Sequence, residues 1–522
     1  MSSAQENTGL LEDALEQVLR NATAVHCWHR LRPFYLAATA QQQLEARAIL
    51  LRRMESDPLS RFMRATFLAD VSGDFTFRHQ AAALLAMPLC DPDRIAAHLV
   101  VAWFEILARQ PDRTGFADAL RGAGFPALLR RSGACLAADG LAAAAPRAVS
   151  QVRKVAIVAP QLSGYSHAPT GLALAHGALL QEQGVAVELF SAQELHIASM
   201  PQLIACGNDT NFLPPDPAGW QANQPQALTI HLADQRLSLL RRWRGVADRL
   251  NRFDPDLVLF VGLYSPLVDV LYRSRPVVAL SVQSVAPVVS ADVWLAADPA
   301  QAAAAGASWQ PEFAAAAPWH YPYRIPPGAA LPPLSRAGLD LPDTALVLVS
   351  VGYRLREEVG GDWAAHMVDL LAARPDVVWL LVGCGDPLPA SLQGLPPGRV
   401  RVLPHQANLD GVLACCDIYL NPPRMGGGFS VAQAMAAGLP VLSLGGSDGG
   451  DKVGRYAQCD SDSYFATLRH WLDDAGARAE RGAVMRTLFR NTLDLRQAGA
   501  SLMGACQAAL ASFQRRTTPA SS

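Results

Sequence analysis

Short, continuously apolar runs alternate with helix-like segments in two separate stretches of this chain, and a proline-rich passage, Pro322 to Pro333, lies between them. A strand that is apolar throughout must be covered on both faces, so such runs belong to parallel sheets flanked by crossover helices. The first stretch reads as strand Val155–Val158, a loop, helix Gly171–Gln183 and strand Val185–Phe190, then strands Leu257–Val261 and Val277–Val282. The second reads as strand Ala345–Val351, helix Trp363–Ala373, strands Val377–Val382 and Val400–Leu403, helix Asp410–Cys415, strand Ile418–Leu420, helix Phe429–Ala437 and strand Pro440–Ser443. So many prolines can continue neither a helix nor a central strand, which makes the passage between the two stretches an interdomain hinge. The expected fold is therefore α/β, with two Rossmann-like domains facing a cleft.

Residues 8 to 145 follow a different pattern. Segments such as Leu10–Leu19 and Arg94–Leu107 carry the 3.6-residue apolar period, and turn clusters such as Ser72-Gly73-Asp74 separate them. This predicts an all-helical N-terminal domain over 1–148, with Ala142–Ser150 as a linker. Helix pairs stacked like tetratricopeptide units are compatible with it, although no period repeats. The first Rossmann-like domain then covers 153–325. The second covers 340–522 and includes helical text from Tyr464 to Arg515, whose last helix is free to cross back and brace the first domain.

Composition excludes several classes. Half of the 522 residues are hydrophobic and 17% are charged, enough apolar side chain for about three cores. A formal net charge of −2 supplies no basic field, so nucleic acid is not an expected partner. No uncharged apolar run reaches the ~18 residues that span a bilayer, and Met1 to Glu16 is acidic rather than basic then apolar. The expectation is a cytoplasmic chain without integral membrane contact. Nine cysteines, scattered from Cys27 to Cys506, form neither a disulfide framework nor a metal-ligand spacing. His26-Cys27-Trp28-His29 fits no zinc pattern and reads as part of a helix face, so no metal site is expected.

The densest chemical signal is Asn421-Pro-Pro-Arg-Met-Gly-Gly-Gly-Phe-Ser-Val-Ala-Gln-Ala-Met-Ala-Ala-Gly-Leu-Pro-Val441. A strand runs into Gly426-Gly427-Gly428, a helix starts near Phe429, and Gly438-Leu439-Pro440 stops it. Unpaired N–H groups at a helix start carry partial positive charge, and glycines let a ligand approach the backbone, so a diphosphate can be held there without metal. Ser430 offers a hydroxyl, and Gln433, one turn on, faces the same ligand and can reach a ribose. The plainer alternative is a tight strand-to-helix turn whose glycines only solve a packing problem.

This block resembles the nucleotide-sugar-binding segment of GT-B glycosyltransferases, where a glycine-rich turn precedes an acidic residue and Ala-Met-Ala-x-Gly-x-Pro-Val. Gln433 departs from that pattern, since the family carries Glu or Asp there. Two further segments are similar to the protein O-linked N-acetylglucosamine transferases. In Ala156-Ile-Val-Ala-Pro-Gln-Leu-Ser-Gly-Tyr-Ser-His-Ala-Pro-Thr170, His167 stands where that family has His-Pro-Thr, with Ala168 inserted. In Val351-Gly-Tyr-Arg-Leu-Arg-Glu357, Arg354 and Arg356 are offered for a donor-side basic residue, Arg356 being closest in register. The loop Gly445 to Gly454 adds Asp451 and Lys452 as candidate contacts to donor sugar or phosphate.

The resemblance implies a glycosyltransferase that takes a nucleotide diphosphate sugar, UDP-linked, as co-substrate, inverts the anomeric centre and needs no cofactor. His167 would orient the acceptor or take its proton, and Arg356 with Gly426–Ser430 would bind the diphosphate. A protein side chain docked by the helical N-terminal domain is the favoured acceptor, with a glycan or lipid-linked sugar as the other choice. A nucleotide-sugar-binding scaffold without turnover and a nucleotide-sugar epimerase are the alternative readings.

Overall fold

The computed structural model describes residues 3–518 except 53–56, 88–91, 110–114, 139–145, 148, 165–166, 197–213, 223–225, 283–284, 298–312, 314–315, 324, 326–332 and 386. Most of the linker Ala142–Ser150 and of the passage Pro322 to Pro333 thus lies outside the described residues.

The first sheet contains β1 (Lys154–Val158), β2 (Ala186–Ser191), β3 (Thr229–Leu232), β4 (Leu257–Gly262), β5 (Val277–Ser281), β6 (Val293–Ala296) and β7 (Ala317–His320), in the order β3-β2-β1-β4-β5-β6-β7. Every pairing is parallel; Ile157 of β1, for example, stands beside Leu189 and Leu259. The strands anticipated from apolar runs, β1, β2, β4 and β5, fill the middle, and β4 is buried along its whole length. Those not anticipated lie on the margins. β3 and β7 are half-buried or exposed edge strands, and β7 carries Pro318, which an edge tolerates because its N–H side need not pair. β6 is apolar but only four residues long.

The second sheet contains β8 (Leu346–Val351), β9 (Val377–Val382), β10 (Val400–Leu403), β11 (Ile418–Leu420) and β12 (Val441–Leu442), in the order β10-β9-β8-β11-β12, again all parallel. In both sheets the strand order reverses beside the first strand, between β1 and β4 and between β8 and β11. Ligands of open α/β sheets bind at such switch points, outside the carboxyl ends of the strands.

The helical first third does not fold around a core of its own. Its buried residues, from Leu11 to Leu136, are continuous with one face of the first sheet through Tyr264, Leu267 and Val270. Trp103 and Phe125 meet Tyr264 at ring-centroid distances of 5.6 and 5.4 Å. The Asp93 carboxylate accepts the Leu239 N–H at 3.0 Å, at the start of the helix Leu239–Phe253. Each fully buried large side chain contributes roughly 1.5–3 kcal/mol, so the helices form a fixed layer over the sheet. Within that layer, Cys27 and Trp28 are core residues of the helix Val25–Ala37.

The other face of the first sheet is covered by the end of the chain. Helix Gly499–Thr517 buries Leu502, Ala505, Cys506, Ala509 and Leu510 there, and Arg516 anchors it by bonding Asp292 at 2.9 Å and lying 3.6 Å over the Tyr272 ring. The two interdomain crossings meet: Ile325 N–H donates to Leu493 O at 3.3 Å, and Leu495 N–H donates to Ile325 O at 3.0 Å. No helix among the described residues is long and apolar enough to cross a membrane.

Candidate active site

The switch point of the second sheet is held by one buried arginine. Arg424, three residues beyond the last strand-end neighbour Asn421, donates through Nε to Asn421 Oδ1 (2.8 Å), through Nη2 to Val351 O at the end of β8 (2.9 Å), and through Nη1 to Glu358 Oε2 (3.0 Å). Arg424 thereby ties the ends of β8 and β11 together. Its bulk also explains two glycines. A Cβ on Gly352 would stand 2.5 Å from Arg424 Nη1, and one on Gly427 would stand 2.6 Å from Nη2. Gly427 further needs its left-handed φ of 92°, which a side chain disfavours.

Glu358 carries a second arginine. Arg354 Nε donates to Glu358 Oε1 at 3.0 Å, and the pair spans one turn as i and i+4. Burial pushes the Glu358 carboxyl up, but the charges of Arg424 and Arg354 outweigh it and hold the group below its ordinary range. One carboxylate thus serves two guanidiniums, leaving a net positive corner. Arg354 is directed at the glycine turn: a Cβ on Gly426 would lie 3.4 Å from its Nη2. Arg356 turns the other way and donates through Nη2 to Cys384 O and Gly385 O, both at 3.2 Å, and through Nε to Pro387 O at 3.3 Å. The structure therefore brings Arg354, not the register-matched Arg356, up to Gly426. Side-chain direction, invisible in a register, decides between them.

The helix anticipated at Phe429 spans Gly428–Ala437, ended by Gly438 at a φ of 81°. Its amino end already holds a carboxylate: Gly428 N–H donates to Asp448 Oδ2 at 3.2 Å, and Lys452 Nζ donates to Asp448 Oδ1 at 3.0 Å. Lys452 is buried, and its partner is this aspartate of its own helix, Asp448–Val453. The Ser430 hydroxyl, offered by the sequence as a ligand contact, has partners within the chain. Its Oγ accepts from Tyr419 OH (2.7 Å) and donates to Gly427 O (3.1 Å). Gln433 stays half-exposed on the same helix. Met425 joins the core shared by the helical layer and the first sheet, and Phe429 packs against cores of both sheets, so the turn is seated against the first domain. Asp451 and Lys452 line a cavity of about 800 Å3 whose other walls include His320, Pro322, Tyr456 and Asn491.

On the first sheet, the loop after β1 delivers His167 to the residue before the helix Ala168–Glu182, and the extra Ala168 becomes its first turn. This spacing brings Thr170 beneath the ring, with His167 Nδ1 and Thr170 Oγ1 2.9 Å apart, while Ser163 N–H donates to the same oxygen at 2.9 Å. His167 is partly exposed, yet burial pushes its pKa down to about 4, so the ring is neutral at pH 7. A hydroxyl has two lone pairs, so Thr170 can take the Nδ1–H as well as the Ser163 N–H and leave Nε2 as the nitrogen that carries the lone pair.

Arg424, Glu358, Asn421 and Asp448 were not singled out in the sequence. Signals for two of them were present: Arg424 lies two residues before a glycine run, and Glu358 is an acid four residues after Arg354.

Residues 345–474 match the family described as glycosyl transferases group 1. No curated protein matches the chain by sequence. Among solved structures, a mutant of the Thermobaculum terrenum O-GlcNAc transferase is 13% identical and superposes with a TM-score of 0.54, covering 99% of this chain and all of that one. A glycosyltransferase from Rickettsia africae is 9% identical with a TM-score of 0.43, covering 71% of this chain and 100% of that one. The first likeness shows the fold: two Rossmann-like domains of GT-B type behind a helical N-terminal region.

Proposed function

We propose that the chain transfers a sugar from a UDP-linked donor to a hydroxyl acceptor, with inversion and without metal. The observation that carries this reading is the Arg354 guanidinium directed at Gly426, at a parallel-sheet switch point that heads a ten-residue helix. The match of this region to group 1 glycosyltransferases supports it. Arg354 and the N–H groups of the first helical turn neutralise the diphosphate as the bond to the anomeric carbon breaks. The acceptor oxygen forms the new bond to that carbon, and its proton passes to His167 Nε2. The helical layer, rigidly joined to the first sheet, is suited to dock a protein acceptor.

A binding protein without turnover is the second reading, favoured by Asp448 occupying the Gly428 N–H. Purified protein is tested for a melting-temperature rise with UDP and UDP-sugars, then for donor hydrolysis and transfer. Binding with turnover supports the enzyme; binding with none across protein and glycan acceptors supports the scaffold. No shift with any nucleotide removes both.

A further inference from the structure

We propose that Tyr353 is the platform on which the donor's nucleobase stacks, an inference that rests on the donor site proposed above. Tyr353 is 68% exposed, the most exposed large hydrophobic side chain among the described residues, and it stands between β8 and Arg354. Exposure alone would mean little, because single surface aromatics are common. What distinguishes this ring is that its backbone is fixed and a guanidinium lies over it, while most of its surface stays exposed.

At the backbone end, Gly352 donates its N–H to Val382 O at 2.9 Å and is closed in by Arg424 on one side and Gly383 on the other. The turn therefore cannot recede. Over the ring itself lies the Arg354 guanidinium, with its carbon 5.4 Å from the ring centroid. Arg354 is itself clamped by Glu358. A flat ring with a fixed backbone and a clamped guanidinium over it gives up little conformational freedom when a second flat ring lies on its open side, so the stacking energy is not spent on ordering. The same arginine points at Gly426, which puts the platform one side chain from the diphosphate seat. A nucleoside diphosphate offers both groups: an anionic bridge for Arg354 and a planar base for Tyr353. Stacking tolerates every base, so the platform adds affinity for the nucleoside without choosing which one.

Calorimetric titration of the full chain with UDP and with inorganic pyrophosphate separates the contributions. Tyr353→Ala is expected to weaken UDP binding about tenfold and to leave pyrophosphate binding within about twofold; Tyr353→Trp is expected to retain or tighten UDP binding. Equal losses for both ligands in Tyr353→Ala mean that the ring acts only by steadying Arg354 and overturn the platform, as does unchanged UDP affinity. Failure of the underlying donor site looks different, because the unsubstituted chain then binds neither ligand.

Discussion

The carboxylate of Asp448 sits 3.2 Å from the N–H of Gly428, so the helix that would receive a phosphate already carries an anion from its own chain. Lys452, buried beside it, balances that charge at 3.0 Å. Any donor diphosphate has to meet this carboxylate. Replacing it by the isosteric amide, Asp448→Asn, removes the repulsion and leaves Lys452 as a free cation. UDP affinity is expected to rise about three- to tenfold, while the ligand-free protein melts at a lower temperature because a buried ammonium has lost its partner. Titration calorimetry paired with a melting curve reads both; a weaker UDP complex would show that Asp448 supports the turn rather than competing at it.

The two arginines after β8 are expected to differ. Arg354→Ala removes the guanidinium that faces Gly426 and should weaken UDP binding tenfold or more, on the scale of about 1.5–3 kcal/mol for a hydrogen bond to a charged group. Arg356→Ala removes bonds to the carbonyls of Cys384, Gly385 and Pro387 and should change UDP affinity less than about threefold. The opposite ranking, measured by the same titration, would return the phosphate role to Arg356.

Arg424→Ala is expected to cost about 2–4 kcal/mol of stability, because it removes the three hydrogen bonds of a buried guanidinium, unties β8 from β11 and leaves Glu358 with Arg354 alone. Arg424→Lys should recover only part, since an ammonium cannot make all three bonds that the fork makes. Urea denaturation checks the pair, and a loss below about 1 kcal/mol for the alanine variant contradicts the structural role.

His167→Ala should abolish transfer and leave UDP binding within a few fold. With the folded pKa near 4, the neutral ring persists well below the ordinary imidazole range, so the His167-dependent limb of the rate profile should appear near pH 4 to 5 rather than near 6.5. The stability consequence has the same sign. The unfolded chain takes up the proton below pH 6.5 and the folded one does not, so stability is full above 6.5 and falls as pH drops toward 4. Wild-type activity that halves near pH 6.5 on this limb would remove His167 from the proton path.

Glu194 makes the reverse prediction. Its carboxyl is buried where the helical layer meets the first sheet and accepts from Ser265 Oγ at 2.7 Å. Burial pushes it up to about 7, with Ser265, Trp243 and Arg242 pulling down and Asp269 adding to the rise. The folded state holds a proton that the unfolded state releases near 4.5, so stability declines as pH rises from about 4.5 to 7 and levels off above that. Glu194→Gln should be less sensitive across this window and, at pH 8, more stable than the parent by up to a few kcal/mol. Parallel melting-temperature profiles for the two proteins from pH 5 to 8 would contradict this.

Much of the architecture can be read without coordinates, because burial on two faces leaves a mark on every residue of a strand. The runs at 155–158, 257–261 and 377–382 are apolar throughout, 346–351 is broken only by Ser350, and no amphipathic pattern competes with them. The glycine turn, the helix after it and its Gly438 stop are equally local, since each depends on backbone conformation within a few residues. What the tertiary structure alone decided is which of these groups face one another. Arg354 and Arg356 are two residues apart and chemically alike, yet one meets Gly426 and the other the Cys384 loop. Arg424, Glu358 and Asp448 come from three segments that meet only when β8 and β11 lie side by side. The helical third, a separate unit by its periodicity, became a layer on the first sheet because its apolar faces are completed by Tyr264 and its neighbours. Periodicity records that a face must be buried; the identity of the partner depends on packing between residues far apart in the chain, which no local pattern encodes.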